Sequence, residues 1–115
     1  MQYLLMICTE EKAMFDATPD EAASSMAQYM KFQEEIGKRG LLVGGARLRP
    51  TTDATTVRVR NGEVLTSDGP FAETKEQVGG YYLVDCKDLD EAIEVAGKIP
   101  GAQFGSIEVR PLWEM

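Results

Sequence analysis

Asp68 and Glu73 place two carboxylates within six residues, separated by Gly69, Pro70, Phe71 and Ala72. A carboxylate pair at that spacing serves either as hydrogen-bond acceptors for a ligand or as an acid and a base. Acid–base work at neutral pH requires a raised pKa, and an apolar neighbour such as Phe71 is one means of desolvating a carboxylate. Gly69 and Pro70 fix the path of the chain between the two acids, since glycine admits positive φ and proline locks φ. Asp68 and Glu73 are therefore the candidate catalytic groups, with Gly69, Pro70 and Phe71 as candidate ligand contacts. Two further side chains belong to the same proposal. Arg47, near the end of an earlier strand, has the fork geometry to hold an anionic ligand. Tyr82, in the strand after the loop, carries a phenol able to donate to one.

The competing reading is structural. Asp68 starts a turn through its side chain, Gly69-Pro70 shapes it, and Phe71 plugs the core. Glu73, Lys75 and Glu76 would then be a solvated charged turn, and Arg47 and Arg49 would pair with surface acids.

Composition narrows the chemistry. The 115 residues contain no histidine, which removes Ser-His-Asp and Cys-His catalysis, HExxH zinc sites and the usual proton shuttle near pH 7. No metal site or cofactor is expected, and Gly79-Gly80 lacks the spacing of a nucleotide loop. A net charge of −7 opposes the phosphate neutralisation on which nucleic-acid affinity depends. No apolar stretch approaches the ~18 residues of a membrane span. The apolar run 3–8 lacks the basic flank and cleavage site of a signal peptide, so a cytoplasmic location is expected. Cys8 and Cys86, both in apolar runs, are expected to be reduced core thiols at opposite ends of the sheet.

The elements that position these residues follow from period and punctuation. Residues 3–8 are apolar throughout, as in a strand covered on both faces. Residues 9–17 read as a polar connection. Thr18-Pro19-Asp20-Glu21 is a capping box with proline at the first helical position. Ala22, Met26, Tyr29, Met30 and Ile36 give the expected helical stripe, and Gly40 the stop. A second strand starts at Leu41 and meets Gly44-Gly45. Asn61-Gly62 predicts a two-residue hairpin that sets Arg60 opposite Glu63 and Val59 opposite Val64, with one face wet and the other covered. After the loop, residues 81–86 are again apolar on both faces except at Asp85. Asp88 and Glu91 start a second helix whose expected stripe is Leu89, Ala92, Ile93, Ala96 and Ile99. Pro100-Gly101 ends it, and residues 104–110 alternate as a last strand.

This order, β-α-β-hairpin-β-α-β in one domain, predicts a ferredoxin-like α+β sheet with both helices on one face. The opposite face would be bare although its central strands are apolar on both sides. A second copy of the chain is the expected cover.

The stretch SDGPFAETKEQVGGYYL, together with LLVGGARLRP, TTVRVRNGEVLTSDGPFAETKEQVGGYYL and GSIEVRPLWEM, resembles the YCII-related proteins that carry an Asp-Gly-Pro-Phe (DGPF) motif. The likeness covers essentially all of residues 1–115. It implies a ferredoxin-like chain that pairs as a dimeric α/β barrel. The residues themselves add the expectation of a small organic molecule in the cleft under the sheet, with Asp68 or Glu73 moving a proton as in a lyase or isomerase. A more distant branch includes enzymes acting on chlorinated or hydroxylated aromatic rings through a His–Asp pair, half of which is absent here. Other relatives are associated with alternative sigma factors, which implies a non-catalytic regulatory or accessory role as the alternative.

Overall fold

In the computed structural model, which describes residues 1–114, the first strand, β1 (Gln2–Thr9), becomes the centre of the molecule. Its side chains alternate between two environments. Tyr3, Leu5 and Ile7 are buried, while Leu4, Met6 and Cys8 are half-buried on the other face. The period of two that defines a strand produces this division. β1 pairs antiparallel with β5 (Gln77–Asp85) on one side and β6 (Ser106–Pro111) on the other. β2 (Leu42–Arg47) pairs with β5 at the edge, giving the order β2-β5-β1-β6. This is the ferredoxin-like α+β topology expected from the order of elements.

The two long helices cover one face. α2 (Pro19–Lys38) begins with a complete capping box, the Thr18 side chain accepting from Glu21 N while Glu21 accepts from Thr18 N. It closes at Gly40, where Leu41 N returns to the Ile36 carbonyl. Its inward residues are Tyr29, Phe32 and Ile36. Met26 and Met30, expected in the stripe, are 56% and 64% exposed. The docked line runs 29-32-36, and the methionines lie on its flank.

α3 (Leu89–Gly97) shows a similar rotation. Ala92, Val95 and Ala96 are buried, followed by Ile99, whereas Leu89 and Ile93 face solvent. Asp88 caps it by accepting from Glu91 N, but Glu91 reaches Lys87 N rather than the cap residue. A short helix that the polar composition of residues 9–17 did not signal, α1 (Glu11–Phe15), follows β1.

The hairpin forms a separate two-stranded ribbon of β3 (Thr55–Arg60) and β4 (Glu63–Asp68). Asn61 and Gly62 have φ of 53° and 77°, the double positive φ of a type I′ turn. The register is the one anticipated, Arg60 opposite Glu63 and Val59 opposite Val64. Its environment is not. Val57, Val59 and Val64 are 58–69% exposed, so neither face is covered within the chain.

The ribbon explains the shape of the protein. A compact chain of this length has a radius of gyration near ~13 Å, whereas this one has 16.1 Å and measures 48 × 44 × 19 Å. The thin dimension is that of one helical layer on one sheet, so the ribbon projects sideways rather than folding over the sheet. The sheet face away from the helices, centred on Leu4, Met6, Tyr81 and Leu83, is covered by no layer among the described residues.

Candidate functional site

The segment between β4 and β5 leaves the ribbon and re-enters the sheet, and its root is tied down from three directions. Gly69, with φ of 92°, donates its N–H to the Ala54 carbonyl at 2.8 Å. The Thr56 hydroxyl donates to the Gly69 carbonyl, also at 2.8 Å. The positive φ turns the chain away from β4 immediately after Asp68, and a residue with a Cβ would strain there.

The second tie is a clasp between α1 and the start of β5. Glu11 accepts from both the N–H and the hydroxyl of Thr51, each at 2.8 Å, through its two carboxylate oxygens. The Glu11 N–H donates to Gln77 Oε1 at 2.9 Å. The Gln77 amide in turn donates to the carbonyls of Thr74 and Lys75. One acid and one amide thus join the chain entering the ribbon at residue 51 to the chain leaving it at residues 74–77. The third tie is the Ser106 hydroxyl, which donates to Glu76 at 2.8 Å and fastens the segment to β6.

Between these ties lies a groove of about 370 Å³, lined by Thr51, Thr52, Gly69, Pro70, Glu73 and Gln77 among others. Its lining combines hydroxyls, an amide and one carboxylate with the apolar faces of proline and Ala72. A wider, shallower hollow runs along α2 and β2 between Met30 and Leu42. Its lining adds Lys31, Gln33 and Glu34 of one helix face, whereas the loop groove draws on residues far apart in sequence.

The sequence-derived site is therefore divided. Glu73, Gly69 and Pro70 meet on the groove. Asp68 ends β4 opposite Thr55 with its carboxylate exposed, outside the lining. Phe71 is 82% exposed and does not plug the core, because the tie at Gly69 turns the chain outward before it. It therefore desolvates neither carboxylate.

Arg47 lies opposite Gly80, on the helical side of the sheet, with its guanidinium donating to Met14 Sδ at 3.3 Å. Tyr82 is on that same side. Its ring packs against Phe32 with centroids 5.2 Å apart, and its hydroxyl accepts from Gln33 at 2.8 Å. Burial raises its pKa, an effect partly offset by that hydrogen bond. Neither Arg47 nor Tyr82 is at the groove, and Tyr81 is the member of the pair on the open face. Arg49 pairs with Asp53 at 3.0 Å, as a surface arginine would.

Glu11 of the clasp and Thr51, Thr52 and Gln77 of the groove are residues that sequence reasoning passed over. Glu11 and Gln77 are 66 positions apart, and no local spacing announces such a pair. Among the described residues no polar or charged side chain is fully buried, and no group of three or more Asp, Glu or Cys side chains is arranged to hold a metal. No helix among them is long and apolar enough to cross a membrane.

Cys8 and Cys86 are both free thiols. In the β1–β5 register Cys8 stands opposite Val78, while Cys86 follows Asp85, the partner of Gln2 at the other end of the strand. They occupy opposite ends of the sheet, as anticipated. Burial raises the pKa of both thiols.

The family model of the YCII-related domain matches residues 1–115. A protein of Rhizobium meliloti (strain 1021), described as uncharacterized, is 41% identical over 114 residues, covering 97% of this chain and 92% of its own.

Proposed function

Because this chain belongs to the YCII-related domain family and has one bare sheet face, we propose that it acts as a homodimer binding a small polar organic molecule at the DGPF loop. The observation that carries this reading is the groove at the ribbon root. Its walls come from two separate segments, residues 51–52 and 69–77, held together by the Glu11–Gln77 clasp. A turn that served only to reverse the chain would not need a clasp reaching back to α1. The Thr52 hydroxyl and the Glu73 carboxylate, which take no part in the clasp, suit a ligand with hydroxyl or amide groups, whose donors Glu73 would accept. The ligand position is this groove rather than the cleft under the sheet.

The dimer half of the reading rests on Leu4, Met6, Tyr81 and Leu83. They form a contiguous apolar strip on the face without helices, and patches of that kind mark association surfaces. Catalysis is the lesser part of the proposal. A carboxylate that moves protons near pH 7 needs desolvation or a like charge beside it, and Glu73 lies exposed in this chain. It gains that environment only when a ligand or a second subunit closes the groove.

The test is a ligand-observed NMR screen of small hydroxy- and amide-bearing compounds against the wild type, Glu73→Gln and Asp68→Asn. The groove reading expects hits that Glu73→Gln weakens about tenfold or more, the loss of one charged hydrogen bond. Asp68→Asn should retain them, and both variants should melt like the wild type. Hits that ignore Glu73→Gln and perturb only residues of the open sheet face would place the function elsewhere.

A further inference from the structure

The ribbon poses a problem that the bare sheet face alone does not resolve. An isolated two-stranded hairpin is at best marginally stable in water. Here β3 and β4 make their substantial contacts only with each other, yet one face displays Val57, Val59 and Val64, all more than half exposed. Three β-branched residues in one cross-strand cluster, on an element that its own chain leaves uncovered, form half of an interface.

A stable dimer needs more area than the sheet face alone supplies. Four strands about 4.8 Å apart, paired over six or seven residues at about 3.3 Å each, present a face of roughly 20 by 22 Å. That is about half of the ~800 Å² per partner in a standard stable interface. A ribbon face of six residues by two strands measures roughly 20 by 10 Å. In a two-fold dimer each subunit gives one ribbon and receives one, because an isologous interface uses every patch twice. Those two additions bring the total to the size that a stable dimer needs. The sideways projection, visible in the 48 × 44 × 19 Å dimensions, places the ribbon beyond the edge of its own sheet, where only another molecule is within reach.

Charge does not oppose a like partner. The chain carries −7 overall, whereas the ribbon, with Arg58, Arg60, Glu63 and Asp68, is neutral in sum. Arg60 turns back to the Val59 carbonyl at 2.9 Å, and no carboxylate of the described residues lies within ion-pair distance of either guanidinium.

We infer that the β3–β4 ribbon is a dimer arm whose Val57, Val59 and Val64 face docks on a second copy of this chain. The inference rests on the homodimer reading and extends it. Docking the arm also immobilises Asp68–Gly69 at its root, so dimerisation orders the groove loop.

The experiment compares the wild type, Val59→Thr/Val64→Thr, and Met6→Glu on the open sheet face, by sedimentation velocity across a dilution series. Threonine keeps the β-branched shape and both valines are exposed, so the ribbon variant should fold with an unchanged circular dichroism spectrum. A dimer dissociation constant raised about tenfold or more by the ribbon variant supports the arm. A dimer that Met6→Glu breaks while the ribbon variant leaves it intact overturns the arm and preserves the dimer. A wild type that stays monomeric at high concentration overturns both. Hydrogen exchange of the wild type alone gives a second readout that no variant's folding can compromise. The amides of β3 and β4 should be protected in the concentrated protein and lose protection on dilution, and fast exchange at every concentration would overturn the arm.

Discussion

The sheet body and the ribbon are built from the same kind of sequence and end in opposite circumstances. β1 and β5 alternate Leu, Ile, Val and Tyr, and their inward members are almost completely buried, with Leu5 and Val84 at 0% exposure. β3 and β4 alternate Val with Arg or Thr, and their apolar members stand in water. The difference is not one of propensity, since valine is as good a strand residue in either place. It is one of layers. The body strands lie under Phe32, Ile36, Val95 and Ile99 from two helices, and no element of the chain is assigned to the ribbon. Local pattern specifies a strand and which of its faces is apolar, whereas the identity of what covers that face is non-local.

The largest expected effect tests that contrast directly. Leu5→Ala removes a fully buried side chain from the centre of the sheet and should lower stability by about 3 kcal/mol in urea unfolding. Val59→Ala, measured in protein dilute enough to be monomeric, should change it by about 0.5 kcal/mol or less, as exposed substitutions do. Equal losses from the two would put the ribbon in the core of the single chain and end the distinction.

The junction between the two regions comes next. Gly69 holds φ of 92° at the point where β4 gives way to the groove loop, and no atom crowds the space a Cβ would occupy. Gly69→Ala therefore acts through backbone strain alone and should cost about 1–2 kcal/mol. If the loop is built as described, the variant should also lose ligand hits in the NMR screen. A variant as stable as the wild type would mean that the turn relaxes without cost.

Much of this was legible in the sequence, and the missed parts share a cause. The Thr18 box, the Asp88 cap, the Asn61-Gly62 turn with its register, and the strand order each follow from signals a few residues apart or from handedness rules. The rotations of α2 and α3 were misjudged because Met26, Met30, Leu89 and Ile93 are as apolar as Phe32 and Val95. On a helix, neighbouring stripes differ by one residue, and only the position of the sheet chooses between them. At the candidate site, Glu73, Gly69 and Pro70 line one groove, and Asp68 stands outside it. Phe71 was misplaced because an aromatic residue in a tight turn reads as a plug unless the turn's direction is known. The Glu11–Gln77 clasp was invisible for a simpler reason, since one partner lies in a stretch that composition marks only as polar.

The two thiols give a smaller and more specific contrast, between the covered and bare faces of one sheet. Cys86 is 1% exposed beneath the helices, while Cys8 is half-buried on the open side. Desolvation raises both pKa values, so neither forms thiolate readily at neutral pH, and access decides the order of reaction. In dilute native protein a thiol reagent should modify Cys8 first and Cys86 only on unfolding. Concentrating the protein should slow Cys8 if a second copy covers that face. Equal rates at all concentrations would indicate that the open face stays open.

The smallest effect concerns charge, which also divides the body from the ribbon. In the body, Arg39 donates to Glu94 at 3.0 Å and Lys98 to Glu35 at 2.7 Å, linking α2 to α3. In the ribbon, Arg60 and Glu63 are opposite in register but Arg60 bonds a backbone carbonyl instead. The hydrogen bond from Lys98 lowers the Glu35 pKa, and that from Arg39 lowers the Glu94 pKa. A carboxylate with a depressed folded pKa contributes stability that is complete above its unfolded value, near ~4.3, and lost as pH falls through the folded value. Lys98 has a raised pKa, chiefly from Glu35, so its share is complete below the unfolded lysine value and lost as pH rises through the folded one. The pairs are exposed and screened by salt, so only a slight rise in Tm is expected from them on the plateau between those limits. Glu35→Gln should lower the plateau Tm slightly and soften the fall in acid, and high salt should erase the difference from the wild type. Glu63→Gln in the ribbon removes no ion pair found among the described residues and should leave the plateau Tm of dilute protein unchanged. A plateau Tm lowered as much as by Glu35→Gln would show Glu63 engaged in a contact that the single chain does not provide.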